Sequence, residues 1–493
     1  MSDLDQLDQR SAGGDPARIR FGGLAAVVGF LVFVEFTSGI IQGFYTPLLT
    51  DIARRLNVPD ADVNWLEGGQ LMAAAIIIPA FAKLGDMIGH RRMLLISTAI
   101  TALASCALPL TDNFWLFLLA WSLQGFYIVW LPLETALIYH RARQTGHPAV
   151  LTRRAAGLLV AALEVGVIAG ALTGGQLDGV LGLALWIPAV AVAACFFVIL
   201  FGVKESPDLH GGRFDTIGMS LVAVALLGLT GGLFLLRVNG PASPVAWAAL
   251  VLGLLLFGPF VRWELRHDDP VIDVRMFASP SLWPVFVTAG LFGVSVLGAQ
   301  APLSTFARTD PATYGYGLGA TTGLTSILIG TYVLSLTAGA LLLPLVTRWI
   351  SPRWALVGAS LLVALGYLLF LPFHASYTEA LTNMVIAGIG SGALVAALPA
   401  AAAAAAPSGQ TGVATGLTNS VKTVGGSVAS AVFGIALATH AAGAVQGTAG
   451  SFTGYVTVWT VCGLTALAAA IALLFVPKTA FGDPSTGSGP STG

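Results

Sequence analysis

Glu35, Glu164 and Lys422 each stand inside a long stretch of residues that is otherwise apolar. An ionisable side chain near the centre of such a stretch costs about 2.5–3.5 kcal/mol to insert into a membrane, so each one needs a reason to be kept. Three reasons are open: proton exchange, binding of a charged ligand, or a buried ion pair. Glu35 has Ser38, Gly39 and Gln42 on its own face at helical spacing. Asn419 precedes Lys422 by about one turn. Glu67 and Glu134 lie nearer the ends of their stretches, where interfacial water is expected to reach them. A second constellation is the short turn GDMIGHRR at 85–92, set between two apolar stretches. Gly89 permits a tight turn there. Arg91 and Arg92 are placed to pair with Asp86 or to cap the carbonyls that end the preceding helix. A third is the aromatic group Trp121, Phe126, Tyr127 and Trp130, with Gln124 among them. These residues could line a cavity for flat lipophilic ligands, or pack against lipid and neighbouring helices.

The elements that must hold these residues are membrane helices. The chain has 493 residues, 56% of them hydrophobic and 10% charged, with mean hydropathy +0.84. No water-soluble domain spreads so much apolar sequence along its whole length. Roughly fourteen stretches are long enough to span a bilayer. They lie near 22–46, 64–84, 93–111, 114–138, 156–177, 183–203, 216–236, 245–264, 282–305, 321–345, 354–373, 379–403, 411–438 and 454–476, and are numbered here α1 to α14. Too little chain remains between them for a soluble domain. The polar start (1–20) carries acids as well as Arg and precedes an overlong apolar stretch, which does not read as a cleavable signal peptide. The low-complexity end, GDPSTGSGPSTG, is expected to be disordered. Cys106, Cys195 and Cys462 all sit in apolar stretches without metal-ligand spacing, and are expected to be packing residues. No HExxH, phosphate-binding glycine loop or nucleophile elbow is found, so neither an enzyme nor an ATP-driven pump is expected, and no cofactor or metal.

Lys and Arg set orientation, because loops rich in them stay in the cytoplasm. With the N-terminus inside, the clusters Arg91/Arg92, Arg141/Arg143/Arg153/Arg154, Arg262/Arg266/Arg275 and Arg348/Arg353 all fall on the cytoplasmic side. Only Arg54, Arg55, Arg237 and Arg308 land outside, and Lys422 lies within an apolar stretch. Both termini are therefore expected in the cytoplasm, in a plasma (bacterial-type inner) membrane. The basic loops read as topology signals, not as nucleic-acid sites.

The chain also repeats faintly. In α4, Gln124-Gly125 is followed seven residues later by Pro132; in α12, Ser391-Gly392 is followed by Pro399 at the same spacing. HRRMLL after α2 has a counterpart in SPRWAL after α10. Matching features eight helices apart suggest two six-helix bundles with α7 and α8 inserted between them. The expected division is a cytoplasmic segment 1–21, a first bundle 22–203, a linker with the inserted pair 204–281, a second bundle 282–476 and a cytoplasmic tail 477–493. In α5, Gly166, Gly170 and Gly174 recur every four residues, with Gly175 beside them. Such a stripe serves close helix packing, or a sliding seam between bundles.

The turn AFAKLGDMIGHRRMLL at 80–95 resembles the α2–α3 signature of the major facilitator superfamily. RFDTIG at 213–218, with WELRHDDPVIDVRMF at 263–277, resembles the central insert of that superfamily's fourteen-helix drug/proton antiporter family. The resemblance spans about residues 22 to 476 and implies an all-α polytopic fold with fourteen transmembrane helices. It implies a cytoplasmic gate at Gly85, Asp86, Gly89, Arg91 and Arg92, with Ala82 in place of the family's opening Gly. It places α1, α4, α9 and α12 around a central cavity. Glu35, Ser38, Gln42, Trp121, Gln124, Tyr127, Trp130, Glu134 and Asn419 become candidates for contact with substrate. Two positions depart from the family. Trp121 replaces the α4 Arg implicated in proton coupling, and Ala171 replaces the Pro of the α5 antiporter signature. Without that Pro, α5 is expected to run straighter. Helix α13 resembles its family counterpart over most of its length, with Lys422 where relatives commonly carry Arg.

These readings lead to a secondary transporter that exports lipophilic or amphipathic small molecules by alternating access. The expected coupling is proton exchange at Glu35, Glu164 or Lys422. Competition between a proton and a cation for one buried carboxyl is antiport in its simplest form and does not require the α4 Arg. The bland alternative is a buried pair of Glu35 or Glu164 with Lys422. The missing Arg and Pro also leave open a facilitator of other coupling: a symporter, a uniporter or a lipid translocator. A membrane receptor or scaffold is a further reading, though no signalling domain is present. Expected partners are the substrate, protons and the bilayer, with a periplasmic adaptor if the host has two membranes and a monomer as the default state.

Overall fold

The computed structural model of the chain describes residues 16–142, 148–177, 179–205, 213–267, 270–406, 411–439 and 448–475. The expected signal-free start before residue 16 and the low-complexity tail lie outside the described residues. Among the described residues all regular structure is helical, as it must be where no water is present to satisfy backbone N–H and C=O groups. Among the described residues, fourteen helices are long and apolar enough to cross a bilayer. The first six are α1 Val28–Arg55, α2 Asp60–Ile88, α3 His90–Leu110, α4 Phe114–Ala142, α5 Arg154–Gly175 and α6 Leu181–Gly202. The inserted pair is α7 Thr216–Asn239 and α8 Pro244–Glu264. The last six are α9 Trp283–Arg308, α10 Thr322–Val346, α11 Pro352–Leu369, α12 Tyr377–Ala405, α13 Gly412–Ala438 and α14 Phe452–Leu473.

Buried apolar side chains fall into two large clusters. One gathers residues between Leu31 and Val203 of α1–α6, with Trp121 and Trp130 its bulkiest members. The other gathers residues of α9–α14 around Phe286, Phe292, Phe306, Phe370, Phe433 and Tyr455. Each six-helix bundle thus has its own core. The inserted helices pack on one another, and α7 lies against α2 and α13 through Met72, Val222, Leu226 and Phe260. Phe234 on α7 meets Trp65 edge-on at 4.7 Å, and Arg237 pairs with Asp62 at 3.1 Å. The residues of the insert motif have a local task. Asp215 accepts hydrogen bonds from the Gly218 N–H and from Trp263 Nε1, capping α7 and fastening it to α8.

The two bundles share a construction. Helices α1 and α5 pack closely in the first, and α9 and α13 in the second. A Cβ built on Gly39 would lie 2.0 Å from the Leu163 carbonyl, and one on Gly166 2.2 Å from that of Phe36. Likewise a Cβ on Gly425 would lie 2.1 Å from the Gly290 carbonyl, and one on Gly293 2.0 Å from that of Lys422. Without aqueous hydrophobic pressure, such backbone-to-backbone approach is a main source of helix association. Both α1 and α9 also break near a proline. The α1 helix ends at Phe44, turns through Thr46–Leu48 around Pro47 and resumes at Leu49; α9 ends at Val296 and resumes at Gln300 beside Pro302.

The α4/α12 repeat is matched in sequence more than in shape. Helix α4 passes into a 3-10 turn at Gly125–Val129 before resuming at Trp130, since Pro132 cannot donate to the carbonyl one turn back. Helix α12 runs unbroken from Tyr377 to Ala405 past Pro399. Helix α5, with Ala171 in place of Pro, belongs to one continuous helix Pro148–Gly175.

Candidate functional site

Glu35 on α1 and Glu134 on α4 are both completely buried. Sequence position put Glu134 within reach of interfacial water, and the structure corrects this: Glu134 is completely enclosed by the packed helices. Their helices, α1 and α4, are in contact. Among the described residues, no N–H or hydroxyl donor reaches any of their four oxygens. Ser38 is buried nearby on α1, and Gln42 is partly buried one turn further on.

The α4 residues Trp121, Tyr127 and Trp130 are buried in the core of the same bundle. Trp121 is 1% exposed and packs against Tyr45 at 4.8 Å and Phe117 at 5.9 Å between ring centres. An indole thus fills the space where an Arg is expected in the family. Tyr127 and Trp130 are buried and meet edge-on at 6.3 Å. The Gln124 amide donates to Tyr45 Oη at 3.0 Å and to Ser105 Oγ at 2.9 Å, and accepts from Gln70. Gln124 therefore ties α1, α2, α3 and α4 together inside one bundle. Glu67 on α2 is partly buried.

Glu164 on α5 and Lys422 on α13 are both partly buried and occupy corresponding helices of the two bundles. Asn419 is partly buried on the same helix as Lys422. The glycine stripe of α5 faces α1 in its own bundle: a Cβ on Gly170 or Gly174 would strike the Ile40 or Phe44 carbonyl. Gly175 alone meets the other bundle, where a Cβ would lie 1.9 Å from Ser326 Oγ on α10.

At the α2–α3 turn the expected partners change. Asp86 Oδ1 lies 3.3 Å from His90 Nε2 and 3.8 Å from His140 Nε2. Arg91 donates to the Leu200 carbonyl at 2.7 Å, and Arg92 to that of Ile88, capping α2 as expected. Glu205, just beyond α6, accepts from the backbone N–H groups of Arg91 and Arg92 at 3.0 and 3.1 Å, a carboxylate at a helix N-terminus. Gly89 has φ +116°, and a Cβ there would lie 2.5 Å from Glu205 Oε2, so both backbone and space demand glycine. Gly85 is buried beneath the His90 ring.

Sequence reasoning missed Glu205, His90 and His140, whose roles depend on helices far apart in the chain. It also missed the latch at the opposite end of the molecule. There Arg308 reaches Asp51, Ser304 Oγ donates to the Thr46 carbonyl at 2.5 Å, and Ser427 Oγ donates to that of Gly68 at 2.7 Å. The Asp60 N–H donates to the Thr448 carbonyl at 2.8 Å. Every one of these contacts joins the two bundles. The only available signal was the position of Arg308 at the end of an apolar stretch, away from the basic loops.

Comparison with known proteins agrees with this architecture. Residues 31–430 match the sequence profile of the Major Facilitator Superfamily. The chain is 26% identical over 436 residues to the tetracenomycin C resistance and export protein of Streptomyces glaucescens, covering 85% of this chain and 76% of that one. It is 25% identical over 444 residues to the drug efflux pump JefA of Mycobacterium tuberculosis, covering 85% and 79%. Among solved structures, the POT family transporter PepTSo superposes with a TM-score of 0.66 at 13% identity, over 92% of this chain and 97% of that one. That last likeness concerns the fold alone.

Proposed function

Because the chain belongs to the major facilitator superfamily, we propose that it is a secondary transporter that exports lipophilic or amphipathic small molecules, as drug or metabolite efflux. The relatives named for resistance and export support that direction and substrate class. The observation that carries the mechanism is that Glu35 and Glu134 are both fully buried on the touching helices α1 and α4, with no N–H or hydroxyl donor on their oxygens among the described residues, and we read them as an acid pair. An acid pair holding one proton is a compact proton carrier: a cation entering beside it favours loss of the proton, and departure of the cation favours its return. Glu164 and Lys422, on corresponding helices of the two bundles, would sense the same cycle by changing their separation as the halves rock. Tyr127, Trp130 and Ser38, buried in the same bundle, are candidates for substrate contact.

We place the Asp86 end in the cytoplasm, on the strength of the Arg-rich loops. On that orientation the bundles are latched on the outer side, and both termini are cytoplasmic. The bundle boundaries are taken as 22–203 and 282–476, with 204–281 as the insert, consistent with the separate cores. A monomer is the simplest working unit of two bundles, and an adaptor enters only in a host with two membranes.

The test is transport of a fluorescent lipophilic cation in proteoliposomes with an imposed pH gradient, comparing wild type with Glu35→Gln. Gradient-driven uptake that is lost in the variant supports antiport through the pair. Transport indifferent to both gradient and substitution sinks this mechanism and favours a facilitator of other coupling, the reading motivated by Trp121 and Ala171. A protein that binds the probe but never moves it across the vesicle wall would point instead to a receptor.

A further inference from the structure

Three nitrogen and oxygen ligand atoms converge at the Asp86 end of the first bundle. They come from the end of α2 (Asp86), the start of α3 (His90) and the end of α4 (His140), and all lie within 4.8 Å of one another. The imidazole rings of His90 and His140 are tilted by 38° with centres 5.1 Å apart, and both present Nε2 to Asp86 Oδ1. The side chains are 2% and 10% exposed, while Asp86 is 50% exposed, so the set is walled by protein on one side and reached by water on the other.

We propose that Asp86, His90 and His140 form a binding site for a transition-metal ion of the Zn2+ type. Two imidazole nitrogens with one carboxylate oxygen suit Zn2+, Co2+ or Ni2+, and not Mg2+ or Ca2+, which take oxygen donors. Ligand atoms around tetrahedral zinc stand about 3.3 Å apart when each bond is about 2.0–2.1 Å. The Asp86–His90 separation of 3.3 Å already matches, the Asp86–His140 separation is 3.8 Å, and all three atoms lie within 4.8 Å of one another, so His140 has to move inward to complete the set. The nearby guanidinium groups are directed to carbonyls: Arg91 to Leu200, Arg92 to Ile88 and Arg141 to Lys204. Water completes the coordination through the exposed side of Asp86. A bound ion would pin the α2–α3 turn to α4. A regulatory consequence rests on the transport reading above: if that turn moves during the cycle, the ion slows transport.

The experiment is Co2+ and Zn2+ titration of the purified, tag-free protein in detergent, which does not depend on transport. One Co2+ per chain is expected, with the visible absorption of a four- or five-coordinate site, displaced by Zn2+ and not by Mg2+. His140→Gln and, separately, His90→Gln should each weaken binding at least tenfold. Thermal unfolding confirms that each variant is folded, and two variants guard against loss of one. No uptake by wild type, or uptake unchanged in both folded variants, would overturn the site. In proteoliposomes, the ratio of transport with and without Zn2+ should fall for wild type and not for His140→Gln.

Discussion

Arg308 Nη2 lies 2.9 Å from Asp51 Oδ1 across 257 residues of sequence, joining the last turn of α9 to the end of α1. The same guanidinium donates through Nη1 to Thr322 Oγ1 at 2.7 Å. Its side chain is 9% exposed and that of Asp51 18%, so the charges are largely withdrawn from water. Arg54 faces Asp51 from the solvent side at 3.4 Å. The pair therefore closes the bundles at this end with a charge-assisted bond that solvent screens little.

Removing Asp51 leaves Arg308 largely buried without its counter-ion, and removing Arg308 leaves Asp51 with only the exposed Arg54. Arg308→Gln or Asp51→Asn should each lower stability by about 1–3 kcal/mol. The two effects should not add in the double variant. A double-mutant cycle on thermal unfolding in detergent measures the coupling, and strict additivity would show that the contact does not hold the bundles together.

The Glu35–Glu134 pair should tolerate an isostere better than a truncation. Glu134→Gln keeps a donor to offer the remaining carboxylate, whereas Glu134→Ala leaves Glu35 buried without any partner, at a cost of about 1–3 kcal/mol. Unfolding midpoints should rank wild type and Glu134→Gln close together, with Glu134→Ala well below. Gradient-driven transport should be lost in both variants, and retention in either would remove Glu134 from proton transfer.

The glycines of α5 give an internal control. Gly166→Ala places a methyl 2.2 Å from the Phe36 carbonyl of α1, where only backbone movement can make room. Overpacking of this kind costs about 1–3 kcal/mol. At Gly157 on the same helix nothing lies within 4 Å. Gly157→Ala should therefore be neutral or stabilise by up to about 1 kcal/mol through helix propensity. Equal unfolding midpoints for the two variants would contradict the α1–α5 contact.

Gly89→Ala meets both a positive φ and the Glu205 carboxylate. The cost is expected at about 1–3 kcal/mol. Glu205→Gln should cost less, about 0.3–1 kcal/mol, since it removes charge from the α3 N-terminus and leaves an acceptor. Protease sensitivity of the α2–α3 turn in the folded protein would report both, with Gly89→Ala cut faster.

Much of this molecule was legible in the chain itself. A bilayer offers no partner for a free backbone group, so any apolar stretch of sufficient length must become a helix. That local rule explains why all fourteen spans coincide with their sequence stretches, and why the Gly85–Arg92 turn and the insert between bundles could be placed. The glycine spacing of α5 was equally visible, because a stripe on one helix is a property of that helix alone.

What sequence could not decide is which helices meet. Apolar faces toward lipid and toward protein look alike in a membrane chain, so amphipathic patterning does not point to neighbours. Glu134 was placed by its distance from the end of α4, and helix packing buries it completely instead. His140, Glu205 and Arg308 acquired partners only when α2, α3, α4 and the two bundles were assembled. Individual spans followed from local hydropathy and backbone hydrogen bonding; the acid pair, the histidine cluster and the latch followed from lateral packing, which brings together residues that the chain keeps far apart.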